Sequence, residues 1–194
     1  ALRAGPRRSA GQSMCEECER EAVPTTSIKV QFVHGKEGSP RGRKATLLGQ
    51  HFELRAPGMN TDDFEASLQV QAEALTQFRP DVLVGSSFGG AVALQLIRRG
   101  LFRGPTLLLA PATLLYEQEH QLPGGVPVLL VHGEDDRIVP IEHSRRIAAT
   151  GAAGLVELRE RPDGHPLNSL VESGELLQLV QELYELRARA GKDG

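Results

Sequence analysis

The sequence contains little cysteine, few aromatic side chains and no long apolar run. Of its 194 residues two are cysteine, 4% are aromatic and none is tryptophan. The longest apolar clusters, residues 107–110 and 126–131, are far shorter than the roughly 18 consecutive apolar residues of a membrane-spanning helix. The sequence therefore predicts neither a membrane span nor a disulfide framework.

The two cysteines form a single Cys-x-x-Cys pair, Cys15 and Cys18. Such a pair occurs in redox motifs and as one half of a zinc site. A zinc site needs two further ligands at matched spacing, and the neighbours here are the acids Glu16, Glu17 and Glu19. We therefore predict no metal and no organic cofactor. The lack of a disulfide framework and of an apolar signal-peptide segment favours the cytoplasm.

Neither sign of charge dominates the sequence. The chain has 22 Lys and Arg against 25 Asp and Glu, a net charge of -3, and no basic stripe of the kind that nucleic acid requires. We predict one domain over residues 27–194, because the length suits a single core. Residues 1–26 lack apolar periodicity and are predicted to form a flexible tail. The early arginines leave open a transit peptide, and the oligomeric state is not determined.

From Ser27 onward, short apolar runs alternate with helical patterns, which is typical of βαβ units on a parallel sheet. The predicted strands are residues 28–33, 51–55, 82–85, 105–109, 126–131 and 155–159. The predicted helices are residues 42–49, 62–78, 88–99, 141–150 and 170–190. The central strands are apolar throughout, as expected for strands covered on both faces. The fold class is therefore α/β.

The third predicted strand runs into Gly85-Ser86-Ser87-Phe88-Gly89 and then into a helix. In a Gly-x-Ser-x-Gly turn of this kind, the serine occupies a strained conformation and is presented as a nucleophile. The glycines are symmetric about Ser87, so Ser87 is the candidate and Ser86 a spacer. The following helix directs the Phe88 N–H toward the position where an oxyanion would form. A plain packing turn is the alternative, since short glycine motifs also occur by chance.

A serine nucleophile needs a histidine base and an acid that orients the histidine. Where such a strand-to-helix turn carries the serine on an α/β sheet, the three residues follow one another along the chain in the order serine, acid, histidine. The loop after the fifth strand carries Glu134, Asp135 and Asp136, and the loop after the sixth carries His165. Ligands bind at the carboxyl ends of parallel strands, so these loops are expected to meet there. His165 is the preferred base, His132 is the main alternative, and the residues alone leave the acid open.

The loop after the first strand is expected to supply a second oxyanion donor. The backbone N–H of Lys36 is our candidate, and an ordinary βα turn is the alternative. His34 and His132 each precede a glycine after an apolar strand, and are predicted to shape turns or bond the backbone. Asp163 is close to His165 in sequence and is predicted to form a turn.

Taken together, these segments resemble the α/β-hydrolase superfamily from Ile28 onward. The similar segments are His34-Gly35 (oxyanion loop), residues 85–90 (nucleophile elbow), His132-Gly133-x-x-Asp136-x-x-Val139-Pro140 (acid loop) and Gly164-His165 (histidine loop). The resemblance implies a triad of Ser87, Asp136 and His165, which selects Asp136 as the acid. Residues 34–40, with Lys44 a few positions on, further resemble the small lid-less bacterial esterases of the YqiA type.

The resemblance also implies a fold and a function. The fold is a reduced α/β-hydrolase fold, with about six mostly parallel strands, helices on both faces and no lid domain. The function is that of a serine hydrolase, which cleaves small or accessible carboxylic esters or thioesters through an acyl-serine intermediate. The implied partner is a small-molecule acyl substrate. An amidase or acyltransferase would use the same triad, and a non-catalytic binding module on this fold is the alternative of a different class.

Overall fold

The computed structural model describes residues 27–190. The predicted tail with Cys15 and Cys18 lies outside the described residues, as do residues 191–194. The strands are β1 (Lys29–Val33), β2 (Glu53–Arg55), β3 (Val82–Ser86), β4 (Thr106–Leu109), β5 (Val128–Gly133) and β6 (Val156–Arg161). The helices are α1 (Arg43–His51), α2 (Phe64–Phe78), α3 (Phe88–Arg98), α4 (Ile141–Ala148), α5 (Asn168–Glu172) and α6 (Glu175–Ala190).

The six strands form one sheet in the order β2-β1-β3-β4-β5-β6. Every neighbouring pair is parallel, so the predicted six-stranded, mostly parallel sheet is confirmed. Strand β3 lies inside the sheet between β1 and β4, with Gly85 opposite Val33 on one side and Leu108 on the other. The turn that follows β3 therefore emerges near the middle of the sheet's carboxyl edge.

Helices cover both faces of the sheet, as predicted. Side chains of a strand alternate between the two faces, and β3 shows the consequence. Val82 and Val84 pack in a buried cluster with side chains of α1, α5 and α6. Leu83 packs in a second buried cluster with side chains of α2, α3 and α4. Burial on both faces explains why the inner strands are apolar without alternation.

The structure corrects two of the predicted elements and adds one. The predicted helix 170–190 is divided into α5 and α6 by Gly174, whose φ of 76° is accessible to glycine at little cost. The predicted strand 51–55 begins only at Glu53, because the Phe52 N–H still donates to the Leu48 carbonyl and α1 extends through His51. A short 3₁₀ helix, Thr113–Tyr116, was not predicted.

Residues 110–127, between β4 and β5, contain only that 3₁₀ helix. Within the described residues, therefore, no lid domain stands over the carboxyl edge of the sheet, as predicted from the short spacing. Between residues 27 and 190, no helix combines the length and the apolar character needed to cross a membrane.

Candidate active site

Ser87 sits in a strained turn between β3 and α3. Its φ of 56° and ψ of −116° lie in a region that side-chain-bearing residues rarely occupy. The backbone holds it there, because the Ser87 N–H donates to the Leu109 carbonyl at 2.9 Å and its carbonyl accepts from the Ala112 N–H at 3.0 Å. A Cβ on Gly89 would overlap the Val33 carbonyl. The glycine of the motif is thus required by the close approach of α3 to β1.

His165 bridges Ser87 and Asp136. Its Nε2 lies 2.9 Å from Ser87 Oγ, and its Nδ1 lies 2.7 Å from Asp136 Oδ2. An ionised carboxylate only accepts hydrogen bonds, so Nδ1 carries the proton and Nε2 is free to accept from the serine hydroxyl. The Asp136 side chain is fully buried, and the His165 side chain is 14% exposed. The three side chains predicted to act together therefore form one hydrogen-bonded chain.

Asp136 is held by its own loop. Its Oδ1 accepts from the N–H groups of Ile138 and Val139, both at 2.8 Å. Burial raises the pKa of Asp136, but the hydrogen bonds from Val139, His165 and Ile138 outweigh burial and hold that pKa below its usual range. The carboxylate is therefore ionised at neutral pH. Of the three adjacent acids, the structure brings Asp136 to His165.

The neighbouring acids and the predicted turn formers occupy other places. Glu134 and Asp135 are exposed. Asp163 accepts from the N–H groups of Gly164 and Ser169, at 2.7 and 2.8 Å, which stabilises the turn that carries His165. The Nδ1 of His34 lies 2.9 Å from the Gly35 carbonyl, consistent with turn formation.

His132, the alternative base, lies at the end of β5 and is fully buried. Its Nε2 is 2.9 Å from the Val139 carbonyl, which can only accept, so Nε2 carries the proton and Nδ1 accepts from Ser144 Oγ at 2.7 Å. The same Nε2 lies 3.1 Å from Asp136 Oδ2. The contact with Asp136 was missed by the sequence analysis, which considered His132 only as a turn residue or a base. His132 and His165 therefore both approach Oδ2 of the Asp136 carboxylate.

His132 is expected to make folding sensitive to mildly acidic pH. Burial lowers the pKa of His132. The Val139 carbonyl and the Asp136 carboxylate raise this pKa, but the effect of burial is larger. In the unfolded chain the His132 imidazole has a pKa of about 6.5 and takes up a proton below that pH, whereas in the folded chain its lowered pKa disfavours the protonated form. Stability is therefore lost as pH falls below that value. Urea unfolding should show a His132→Asn variant nearer to wild-type stability at about pH 5.5 than at about pH 7.5.

A matched control for this prediction is His51→Asn, which removes an exposed imidazole at the end of α1. The difference in unfolding free energy between His51→Asn and the wild type should not become smaller at the lower pH. If the gap between wild type and His132→Asn stayed constant or widened between the two pH values, the neutral state assigned to His132 would be wrong.

The two backbone groups predicted to bind an oxyanion flank Ser87. Phe88 directly follows Ser87 and is the first residue of α3. Lys36 directly follows Gly35, which packs so closely on Ser87 that an added Cβ would lie 3.2 Å from the Ser87 Cβ. Within the described part of the chain, neither the Phe88 nor the Lys36 N–H donates to a protein acceptor. The Lys36 ammonium group lies 3.1 Å from Asp62 Oδ1. Both amides therefore lack a protein acceptor among the described residues, which leaves the predicted role open to test.

Ser87 and His165 line a cleft of about 450 Å³. Part of its wall is apolar and includes Leu115, Tyr116 and Ile138. The Tyr116 ring packs edge-on against Phe88, with centroids 5.0 Å apart. This wall was not predicted from the sequence, although the Leu114-Leu115-Tyr116 run after β4 could have indicated it. Among the described residues, no three His, Cys, Asp or Glu side chains are grouped so as to hold a metal ion.

Solved structures share this fold. Alpha/beta hydrolase domain-containing protein 10 from mouse superposes with a TM-score of 0.64 at 17% identity, covering 84% of this chain and 90% of that one. A monoacylglycerol lipase from Paleococcus ferrophilus gives 0.67 at 15% identity, covering 81% and 94%. An alpha-beta serine hydrolase homologue from Coxiella burnetii gives 0.59 at 14% identity, covering 85% and 86%.

No family model matches the sequence, and no curated protein matches it. At these identities the structural likeness establishes the fold and leaves function to be argued from the site. The closer resemblance to esterases of the YqiA type stays a prediction. The described residues of this chain have the α/β-hydrolase fold, with six parallel strands and helices on both faces.

Proposed function

We propose that this protein is a serine hydrolase that cleaves carboxylic esters or thioesters through an acyl-serine intermediate. The observation that carries the proposal is the position of His165 between Ser87 Oγ and Asp136 Oδ2, at 2.9 and 2.7 Å. A serine, an imidazole and a buried carboxylate in this order of contacts form the arrangement that activates a hydroxyl as a nucleophile.

In the first half of the proposed reaction, Ser87 Oγ attacks the carbonyl carbon while His165 Nε2 takes the hydroxyl proton. The carbonyl oxygen becomes an oxyanion, which accepts hydrogen bonds from the N–H groups of Lys36 and Phe88. Collapse of this intermediate breaks the bond to the alcohol or thiol. His165 returns the proton to that leaving group, and the acyl group stays on Ser87.

In the second half, water attacks the acyl-serine with His165 as the base. The second tetrahedral intermediate collapses to release the carboxylic acid and to return the proton to Ser87 Oγ. Asp136 stays ionised throughout, because its lowered pKa favours the carboxylate. It stabilises the imidazolium that forms twice in each cycle and holds the Nδ1–H tautomer.

The cleft favours accessible acyl or alcohol groups of modest size. Within the described residues, no lid domain covers it, and two apolar side chains at its rim, Leu115 and Ile138, are 49% and 59% exposed. A chain of a few carbons can contact this rim, whereas a long chain would extend into water. Activation by lid opening at a lipid interface is therefore not expected.

A series of p-nitrophenyl esters of increasing acyl length tests the proposal. We expect turnover of the acetate and butyrate with a pre-steady-state burst of about one nitrophenolate per protein, since nitrophenolate is a good leaving group and the acyl-serine should form faster than water releases it. Activity should fall for long chains and should show no rise at the micelle concentration. The control is protein treated beforehand with a fluorophosphonate. The absence of turnover with every ester and thioester would contradict the proposed function.

A further inference from the structure

Three cationic side chains line the cleft that contains Ser87: Lys36, Arg43 and Lys44. Lys36 faces Asp62 at 3.1 Å, and Arg43 faces Glu172 at 3.2 Å. Lys44 differs from both. Within residues 27–190 no carboxylate lies within ion-pair distance of its ammonium group, and its hydrogen bond goes to the Pro166 carbonyl.

Lys44 is also less exposed than a typical lysine. Burial lowers the pKa of its ammonium group, and the more distant Asp163 offsets this effect only in part. An ammonium group has three donors, of which the Pro166 carbonyl takes one. A charge that is partly withdrawn from water without a paired carboxylate is costly. A bound anion would remove that cost.

The stability of α1 does not explain the basic residues at its start. Arg43 and Lys44 are its first two residues, the cap residue Gly42 gives no side-chain hydrogen bond, and the first turn holds no acid. Cations are unfavourable at the positive end of a helix dipole, and anions are favourable there. Both the helix and the lysine side chain therefore favour a negative group at this part of the cleft.

Lys44 and the apolar wall reach the cleft from different segments of the chain. Ser87 follows β3, which has β1 on one side and β4 and β5 on the other. Lys44 follows β1, whereas Leu115 follows β4 and Ile138 follows β5. All three side chains line the same cleft. The cleft beside Ser87 thus contains both a cationic group and apolar side chains.

We infer that the substrate is an ester or thioester that carries a carboxylate or phosphate group, which Lys44 binds while an apolar group contacts the wall at Leu115 and Ile138. This inference rests on the proposed hydrolase function and names its substrate class. The Pro166 bond suggests a competing role, in which Lys44 only positions the loop of His165. The two roles differ in their dependence on substrate charge.

Two matched pairs of esters test the inference, with the charge in the acyl half or in the alcohol half. The first pair is mono-p-nitrophenyl glutarate and p-nitrophenyl pentanoate. The second is 3-carboxyphenyl butyrate and phenyl butyrate. In the pair whose charged group reaches Lys44, we expect the Lys44→Met substitution to lower kcat/KM about tenfold more for the charged ester than for the neutral one. The reason is the loss of a charge-assisted hydrogen bond. Lys44→Arg should retain most of the preference.

Lys29→Met is the matched control. Lys29 lies at the amino end of β1, away from the carboxyl edge, and faces Glu53 at 3.7 Å. Its loss changes the net charge equally, so the ratio of charged to neutral turnover should stay at the wild-type value. Salt dependence tests the inference without any variant. Raising NaCl from about 0.05 M to about 0.5 M should lower the ratio of charged to neutral turnover in the wild type.

The possible failures are distinguishable. If Lys44→Met reduced kcat/KM equally for both members of both pairs, or if salt left the ratio unchanged, Lys44 would be a positioning residue and the inference would be overturned. Turnover of the neutral esters that depends on Ser87 would still support the proposed function. If none of the four esters showed turnover dependent on Ser87, the proposed function would fail and this inference with it.

Discussion

Replacing Ser87 with alanine is expected to lower kcat for p-nitrophenyl butyrate by about 10⁴- to 10⁶-fold. The variant lacks Ser87 Oγ, the atom proposed to form the acyl intermediate, which lies 2.9 Å from His165 Nε2. The residual rate would come from binding and from the two backbone N–H groups. Labelling by a fluorophosphonate should be lost in parallel, which intact-protein mass spectrometry would detect as the missing adduct.

The control for this experiment is the adjacent serine. Ser86 is the last residue of β3 and has no hydrogen bond to His165. A Ser86→Ala variant should still be labelled and should retain most of its turnover. Equal labelling of the wild type and Ser87→Ala, or loss of labelling only in Ser86→Ala, would show that the nucleophile has been assigned to the wrong residue.

Replacing Asp136 with asparagine is expected to lower kcat by about 10⁴-fold, with a smaller effect on KM. The amide can donate a hydrogen bond to Nδ1, which favours the wrong imidazole tautomer and leaves the imidazolium without a balancing charge. The site would keep its shape, because an asparagine oxygen can still accept from the N–H groups of Ile138 and Val139. Steady-state kinetics with p-nitrophenyl butyrate would measure the loss.

Asp135→Asn provides a control at the preceding position. The Asp135 side chain is exposed, and its backbone N–H donates to the Asp163 carbonyl at 3.1 Å, a hydrogen bond that the substitution keeps. We expect turnover within about twofold of the wild type, as for most surface substitutions. A large loss in Asp135→Asn together with an active Asp136→Asn would reverse the assignment of the acid.

Local sequence patterns were sufficient for much of the fold. The strand runs and the helix that follows Ser87 lie within a few residues of their predicted positions, because apolar periodicity and glycine turns are local properties. Boundaries were less accurate where two local preferences compete. At Phe52 the last helical hydrogen bond overrides a β-forming residue, and at Gly174 a positive φ interrupts an otherwise continuous helical pattern.

The candidate site shows a similar division. Ser87 and His165 could be selected from motif and order alone. Asp136 could not be separated from Asp135 by the residues themselves, and its selection came from the family resemblance. In the structure the difference arises because the Asp136 carboxylate turns inward onto the N–H groups of Ile138 and Val139, whereas Asp135 faces solvent.

The sequence by itself determined the α/β class, the nucleophile turn and the order of the candidate residues, because each depends on neighbours along the chain. Only the tertiary structure decided the strand order, the contact of His132 with Asp136 and the meeting of Lys44 and the apolar wall in one cleft. These features depend on distances between segments far apart in sequence. Such distances are set by the packing of both helix layers on the sheet, which no local pattern specifies.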